Sequence, residues 1–104
     1  MMQYYLIITE AAEADLDGIA DYISYELKEP NTALKQLNRI QETMTTLEEL
    51  PERHSLVQDK YLATKGIRKL PTDNYLIFYT INKSTNTVNI IRVLHGRRDW
   101  ENIL

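Results

Sequence analysis

Two stretches of helical periodicity, separated by a proline, constrain the fold of this chain more than any other feature. From residue 10 to about residue 27, apolar side chains recur every three or four positions, which is the period of an amphipathic helix. The same period returns after Glu29-Pro30-Asn31, where proline disfavours helix at the preceding residue and asparagine can cap a new one. Because only a few residues separate the two segments, we predict an antiparallel helical hairpin.

Each predicted helix has one apolar seam, and these seams are the candidate core. The first seam includes Ala12 and Leu27, and the second includes Leu34 and Leu50 and ends at Pro51. We expect seven further seam side chains to be buried against one face of a sheet: Leu16, Ile19, Ile23, Leu37, Ile40, Met44 and Leu47.

The remaining segments are typical of β-structure and loops. Aromatic and β-branched side chains predict strands at residues 3–8, 67–70, 74–82 and 87–94. Residues 51–65 are expected to be mostly loop, and residues 95–104 a charged tail. The order β-α-α-β-β-β predicts an α+β domain in which the hairpin packs on one face of a mainly antiparallel sheet. At 104 residues, the chain fits a single domain over residues 1–104.

Several function classes are excluded by what the sequence does not contain. There are no cysteines, so thiol chemistry and thiolate zinc sites are absent. The longest apolar runs have five residues, far below the roughly 20 that cross a bilayer, and no secretory signal is visible. The glycines form no phosphate loop, and His54 and His95 lie too far apart for a local metal motif. We therefore expect a cytoplasmic protein with no metal, no cofactor and no membrane partner.

Charge is divided unequally between the two halves of the chain. Residues 1–52 contain three basic and eleven acidic side chains, whereas residues 53–104 contain nine basic and four acidic ones. The overall net charge of −3 therefore conceals a C-terminal half that can present a positive face.

The candidate binding residues belong to that positive half. They lie before and on the second strand, on the last strand and in the tail: Lys65, Arg68, Lys69, Arg92, His95, Arg97, Arg98 and Trp100. Arginine offers planar, bidentate donors to phosphate or carboxylate, so the set fits a polyanion or an acidic protein segment. A plain solvated surface is the alternative on these residues alone. Tyr75, Phe78 and Tyr79 suit stacking on bases, but a strand in a small sheet needs such residues for its core, and core packing is the favoured explanation.

Three segments in the C-terminal half of the chain resemble those of a known protein family. These are G-I-R-K-L-P at 66–71, N-Y-L-I-F-Y at 74–79 and I-R-V-L-H-G-R-R-D-W at 91–100. Together with the N-terminal strand and the hairpin, their order and spacing resemble the RelE/ParE superfamily of type II toxin-antitoxin systems over nearly the whole chain. The resemblance implies a small toxin neutralised by an antitoxin encoded beside it.

The superfamily has two activities, and the resemblance leaves both open. RelE-like members cut messenger RNA in the ribosome, and ParE-like members poison DNA gyrase. RelE-like nucleases have an arginine in a third-strand pattern like Y-R-L-V-Y, whereas this chain has Leu76 at that position. Leucine can neither stabilise the negative charge that develops on the oxygens of a phosphorane nor orient the attacking 2′-hydroxyl, which favours the ParE-like activity. In the RelE-like alternative the catalytic residues would come from Arg68, Arg92, His95, Arg97 and Arg98.

A third interpretation comes from a different class of protein. In it the chain is a non-toxic nucleic-acid-binding module that uses its basic face alone. Expressing the chain without a partner distinguishes a toxin from a non-toxic binding module, since only a toxin arrests growth.

Overall fold

A mixed four-stranded sheet forms the centre of the protein in the computed structural model, which describes residues 3–104. The strands are β1 (Tyr5–Ile8), β2 (Arg68–Thr72), β3 (Tyr75–Asn82) and β4 (Thr87–His95). Their order across the sheet is β1-β4-β3-β2. β1 runs parallel to β4, while the β2–β3 and β3–β4 pairs are antiparallel. The predicted α+β class and the mainly antiparallel sheet are confirmed.

The helical hairpin lies between β1 and β2 in the chain. α1 (Glu10–Asp21) is capped by Thr9, whose Oγ1 accepts a hydrogen bond from the Ala12 amide at 3.2 Å. It continues into a π-helical turn, Tyr22–Glu26. α2 (Pro30–Thr45) begins at the proline itself, because the fixed φ and missing amide hydrogen of proline suit the first position of a helix. A 3₁₀ turn, Thr46–Glu48, follows it.

The hairpin covers one face of the sheet, as predicted. Of the seven seam residues, Ile23, Ile40, Met44 and Leu47 are buried. The other three, Leu16, Ile19 and Leu37, are only partly buried. This first core joins the helices to strand residues and to a few others: Tyr4, Ala12, Leu70, Ile77, Tyr79, Val88, Ile90 and Val93.

Three leucines that the periodicity assigned to the seams are instead exposed. Leu27 follows the π-helical turn, whose wider winding shifts the helical phase. Leu34 is 62% exposed because its neighbour Ala33 occupies the buried position at the start of α2. Leu50 adopts a left-handed backbone conformation, φ 47°, and its side chain is exposed.

The opposite face of the sheet has its own smaller core, which the sequence analysis missed. Residues 51–65 were expected to be mostly loop, but they contain a 3₁₀ turn (Pro51–Arg53) and α3 (Lys60–Thr64), which Asp59 caps. The expected tail also folds, because α4 (Trp100–Ile103) packs against the sheet. The buried side chains of this second core are Val57, Leu62, Ile67, Phe78 and Leu94.

Within residues 3–104, no helix is both long enough and apolar enough to cross a membrane.

Candidate functional site

The eight candidate residues do not form one cluster. The structure divides them among an ion pair under α1, a network beside β2, a lysine-rich surface over the second core, and a groove at the end of β4. Only some of them are placed to contact another molecule.

Arg92 is bound by the protein itself. Its Nε and Nη2 donate hydrogen bonds to the two carboxylate oxygens of Asp15 on α1, each at 2.7 Å, and the Val93 amide donates to the same carboxylate at 2.9 Å. Hydrogen bonding to Asp15 raises the pKa of Arg92, although partial burial opposes this. The pair joins α1 to the stretch of β4 that extends beyond the end of β1. Arg92 therefore fixes the fold and is not an exposed binding group.

Asp15, which holds Arg92 in place, is a residue that sequence reasoning missed. The other carboxylates of α1 lie away from the apolar seam, whereas Asp15 comes three residues after Ala12 and four before Ile19, on the seam side of the helix. A charged side chain on the buried side of a helix signals a partner. That signal was available in the sequence, but the identity of the partner was not.

Arg68 is also occupied by contacts inside the protein. Its Nη1 donates to the carbonyl oxygens of Glu52 at 3.2 Å and His54 at 2.5 Å. These bonds hold the segment after α2 against the edge of β2. The pKa of His54 is lowered by burial and by the neighbouring charges of Arg53 and Arg68, so its ring favours the neutral form.

Two lysines and two aromatic rings form a surface over the second core, which we call the lysine–aromatic surface. Lys65 Nζ lies 4.6 Å from the centre of the Tyr61 ring, and Lys69 Nζ lies 5.3 Å from that of Trp100. Trp100 in turn packs on Phe78, with ring centres 5.2 Å apart. Trp100 is therefore part of the fold as well as part of a basic surface.

Two of the remaining candidates, His95 and Arg98, line an open groove between α1 and the C-terminal end of β4, here called the α1–β4 groove. Its volume is about 530 Å³. It is lined by α1 residues and the ends of β3 and β4: Ala14, Asp15, Gly18, Ile19, Tyr22, Tyr75, Val93, Leu94, His95 and Arg98. Gly18 leaves this space open, since a Cβ added there would meet nothing within 4 Å.

Hydrogen-bond donors and aromatic rings surround one end of the groove. The His95 ring meets the Tyr75 ring edge-on at 5.5 Å. Its Nδ1 accepts a hydrogen bond from the Arg97 amide at 3.1 Å, so a neutral His95 carries its proton on Nε2. Burial and the neighbouring Tyr22 raise the pKa of Tyr75, so the Tyr75 phenol stays protonated near neutral pH. The geometry suits recognition of an anionic group beside an apolar one.

Arg97 and Arg98 lie just after β4 with exposed side chains. In residues 3–104, no three His, Cys, Asp or Glu side chains come together in a way that could hold a metal ion.

One family model matches most of the sequence. The sequence model for the ParE toxin of the type II toxin-antitoxin system, parDE, matches residues 6–100. No curated protein sequence matches the chain significantly.

Solved structures of the same kind share the fold. The chromosomal ParDE toxin-antitoxin system from P. aeruginosa is similar at 23% identity and TM-score 0.74, over 91% of this chain and 98% of that chain. The RelBE2 complex from Mycobacterium tuberculosis is similar at 25% identity and TM-score 0.67, over 91% and 93%. The free E. coli toxin RelE with two arginines replaced by alanine is similar at 15% identity and TM-score 0.65, over 99% and 100%.

Proposed function

The chain belongs to the ParE toxin family of type II toxin-antitoxin systems, and we propose that it arrests growth by binding and inhibiting DNA gyrase. In this proposal the toxin is a binding protein whose effector surface is formed by exposed cations at the C-terminal end of β4 and by the neighbouring lysine–aromatic surface. We also propose that it acts in the cytoplasm, where gyrase is found.

The observation that carries the choice of gyrase over messenger RNA is the environment of Leu76. This residue stands where the resemblance to RelE-like nucleases places an arginine. Leu76 packs against the second core, whose buried members include Phe78 and Leu94. An apolar side chain in this position cannot stabilise the negative charge that develops on the phosphate in the transition state of RNA cleavage. Such electrostatic stabilisation is usually the largest contribution to catalysis.

The contacts of two arginines also favour gyrase over messenger RNA as the target. Of the five side chains that could serve a nuclease, Arg92 is paired with Asp15 and Arg68 is bound to two backbone carbonyls. Moving either guanidinium to a substrate would leave a partly buried carboxylate or carbonyl without its partner, at a cost of about 1–3 kcal/mol. His95, Arg97 and Arg98 remain, and all three also suit binding to a protein target.

The partner that we propose for neutralisation is an antitoxin protein. The similar structures from P. aeruginosa and M. tuberculosis are described as toxin-antitoxin systems. A positive C-terminal half suits an antitoxin segment that combines apolar anchors with Asp or Glu.

Pulse labelling in cells tests the proposed target. After induction of the toxin without a partner, thymidine incorporation should fall before methionine incorporation, because gyrase inhibition blocks replication first. A RelE-like messenger RNA nuclease would reverse that order. Cells that keep growing normally would instead favour the non-toxic nucleic-acid-binding module.

A further inference from the structure

We propose that the α1–β4 groove is a docking site for the antitoxin, taking one large apolar side chain with a neighbouring carboxylate that binds Arg98 and His95. This inference rests on the proposed function, namely that the chain is a toxin with a protein antitoxin. It adds the place of binding and the chemistry of the segment that binds there.

The shape of the groove is that of a ligand site. Its volume of about 530 Å³ lies inside the range of about 300–1,000 Å³ that is typical of ligand pockets. Apolar atoms dominate its walls, which include Ile19, Val93 and Leu94, and Tyr22 and Tyr75 add aromatic rings. Such walls favour an aliphatic or aromatic anchor.

The charge of the groove selects an acidic occupant. Asp15 is the one carboxylate among the lining residues, and its charge is compensated by the Arg92 guanidinium and the Val93 amide. Arg98 and His95 supply donors at the rim, and other α1 carboxylates such as Asp17 and Asp21 do not line the groove. A carboxylate next to the anchor would gain a charge-assisted hydrogen bond there, while a cation would be repelled.

The position of the groove indicates the antitoxin as the source of that segment. The groove shares Arg98 and His95 with the exposed end of β4, which the proposed function assigns to the effector surface. An anchored segment therefore covers those cations while it is bound. Overlap of the two surfaces explains neutralisation without any change in the fold.

Filling the groove gives a sharp test, because Gly18 faces open space on a regular helix. The variant Gly18→Trp places an indole in the groove, and replacing a glycine inside a helix favours folding. Ala11→Trp is the matched control, since Ala11 is exposed on α1 and does not line the groove. Both variants are expressed alone and together with the product of the gene adjacent to the toxin gene.

We expect Gly18→Trp to arrest growth when it is expressed alone and to resist rescue by the adjacent gene product. Its affinity for that purified product should fall about 30-fold or more, the loss typical of a binding hot spot. Ala11→Trp should be rescued like the parent. If Gly18→Trp does not fold, Ala14→Phe fills the same groove from one helical turn earlier.

Other outcomes overturn the inference in distinguishable ways. Full rescue and unchanged affinity of a folded groove-filling variant would show that the antitoxin docks elsewhere, with the toxin function intact. Loss of growth arrest in that folded variant would assign the groove to the target instead. A parent chain that never arrests growth would refute the proposed function itself.

Discussion

At the scale of single residues, the arginines of the C-terminal half divide into two kinds. The guanidinium groups of Arg68 and Arg92 are held by carbonyl and carboxylate oxygens of the protein. Arg97 and Arg98 are exposed, and the hydrogen bonds described for them in residues 3–104 use backbone groups: both amides donate to His95, and the Arg98 carbonyl accepts from the Trp100 amide. Toxicity should therefore depend on the two exposed arginines, and stability on the two that are bound within the protein.

Replacing Arg97 and Arg98 together by Glu should abolish growth arrest and leave the melting temperature nearly unchanged. The substitution inverts the local field but removes no buried apolar area, and surface substitutions usually change stability by less than about 0.5 kcal/mol. Growth curves and thermal unfolding of the double variant measure the two effects. A well-folded double variant that still arrests growth like the parent would disprove the effector surface.

Tyr79 provides a prediction about pH. Its buried hydroxyl donates a hydrogen bond to the Pro51 carbonyl at 2.6 Å, and burial raises its pKa to about 12, against the opposing effect of Arg68 and Arg53. Because the folded pKa exceeds the unfolded value near 10, the contribution to stability is complete below pH 10. It is lost as the pH rises from about 10 to 12.

The variant Tyr79→Phe isolates that contribution. It should be about 1–3 kcal/mol less stable than the parent at pH 8, since the Pro51 carbonyl loses its donor. The difference between the two proteins should shrink as the pH rises above 10. Chemical unfolding at pH 8, 10 and 11 measures it, and a difference that stays constant across this range would contradict the assigned role of the hydroxyl.

At the scale of elements, the long helices and hairpin strands were predictable, and the short elements were not. The seams of α1 and α2 span several turns, so their period is visible in the sequence. α3 and α4 have five and four residues, too few to display a period, and their formation depends on packing over the second core. The exposure of Leu34 also escaped prediction, because a phase difference of one residue within α2 decides whether it or Ala33 is buried.

The candidate site was predictable only in part, for a related reason. Residue types and approximate strand positions were visible, so His95 and Arg98 were among the predicted candidates, and the structure places both of them at the groove. The groove depends on Gly18 and Tyr22 of α1, and nothing in the sequence fixes how that helix lies across β4. The Asp15–Arg92 ion pair, which removed Arg92 from the binding surface, joins residues 77 positions apart.

α4 should stabilise the fold through Trp100. The variant Trp100→Ala removes the ring that packs on Phe78, and a half-buried tryptophan should contribute about 1–3 kcal/mol, somewhat less than a fully buried one. Tyr61→Ala is the control, because Tyr61 is 66% exposed and its loss should change stability little. Urea unfolding of both variants provides the comparison, and equal stabilities would mean that α4 contributes nothing to the second core.

At the scale of the whole molecule, the unequal charge of the two halves follows the architecture. The acidic half forms β1 and the helical hairpin, and the basic half forms the other three strands and the C-terminal residues. Although the net charge is −3, the lysine–aromatic surface and the exposed arginines after β4 offer local positive charge to acidic partners. Fields of this kind mainly raise the rate of association.

The association rate of toxin and antitoxin should therefore fall as salt rises. Between about 30 mM and 500 mM NaCl, where the screening length shortens several-fold, we expect the rate constant to decrease by about tenfold, with a smaller change in dissociation. Stopped-flow mixing with the purified adjacent gene product measures both rates. An association rate that is flat across this range would exclude steering by the basic half.

One pair of parallel assays distinguishes a gyrase-binding toxin from a messenger RNA nuclease. Purified protein is added in parallel to a gyrase supercoiling reaction and to translating ribosomes, with the Arg97→Glu and Arg98→Glu double variant as the control in each. We predict that the parent inhibits supercoiling in proportion to its concentration, that the double variant does not, and that messenger RNA remains intact with both. Cleaved messenger RNA together with unimpaired supercoiling would show instead that the chain is a RelE-like nuclease and not a gyrase inhibitor.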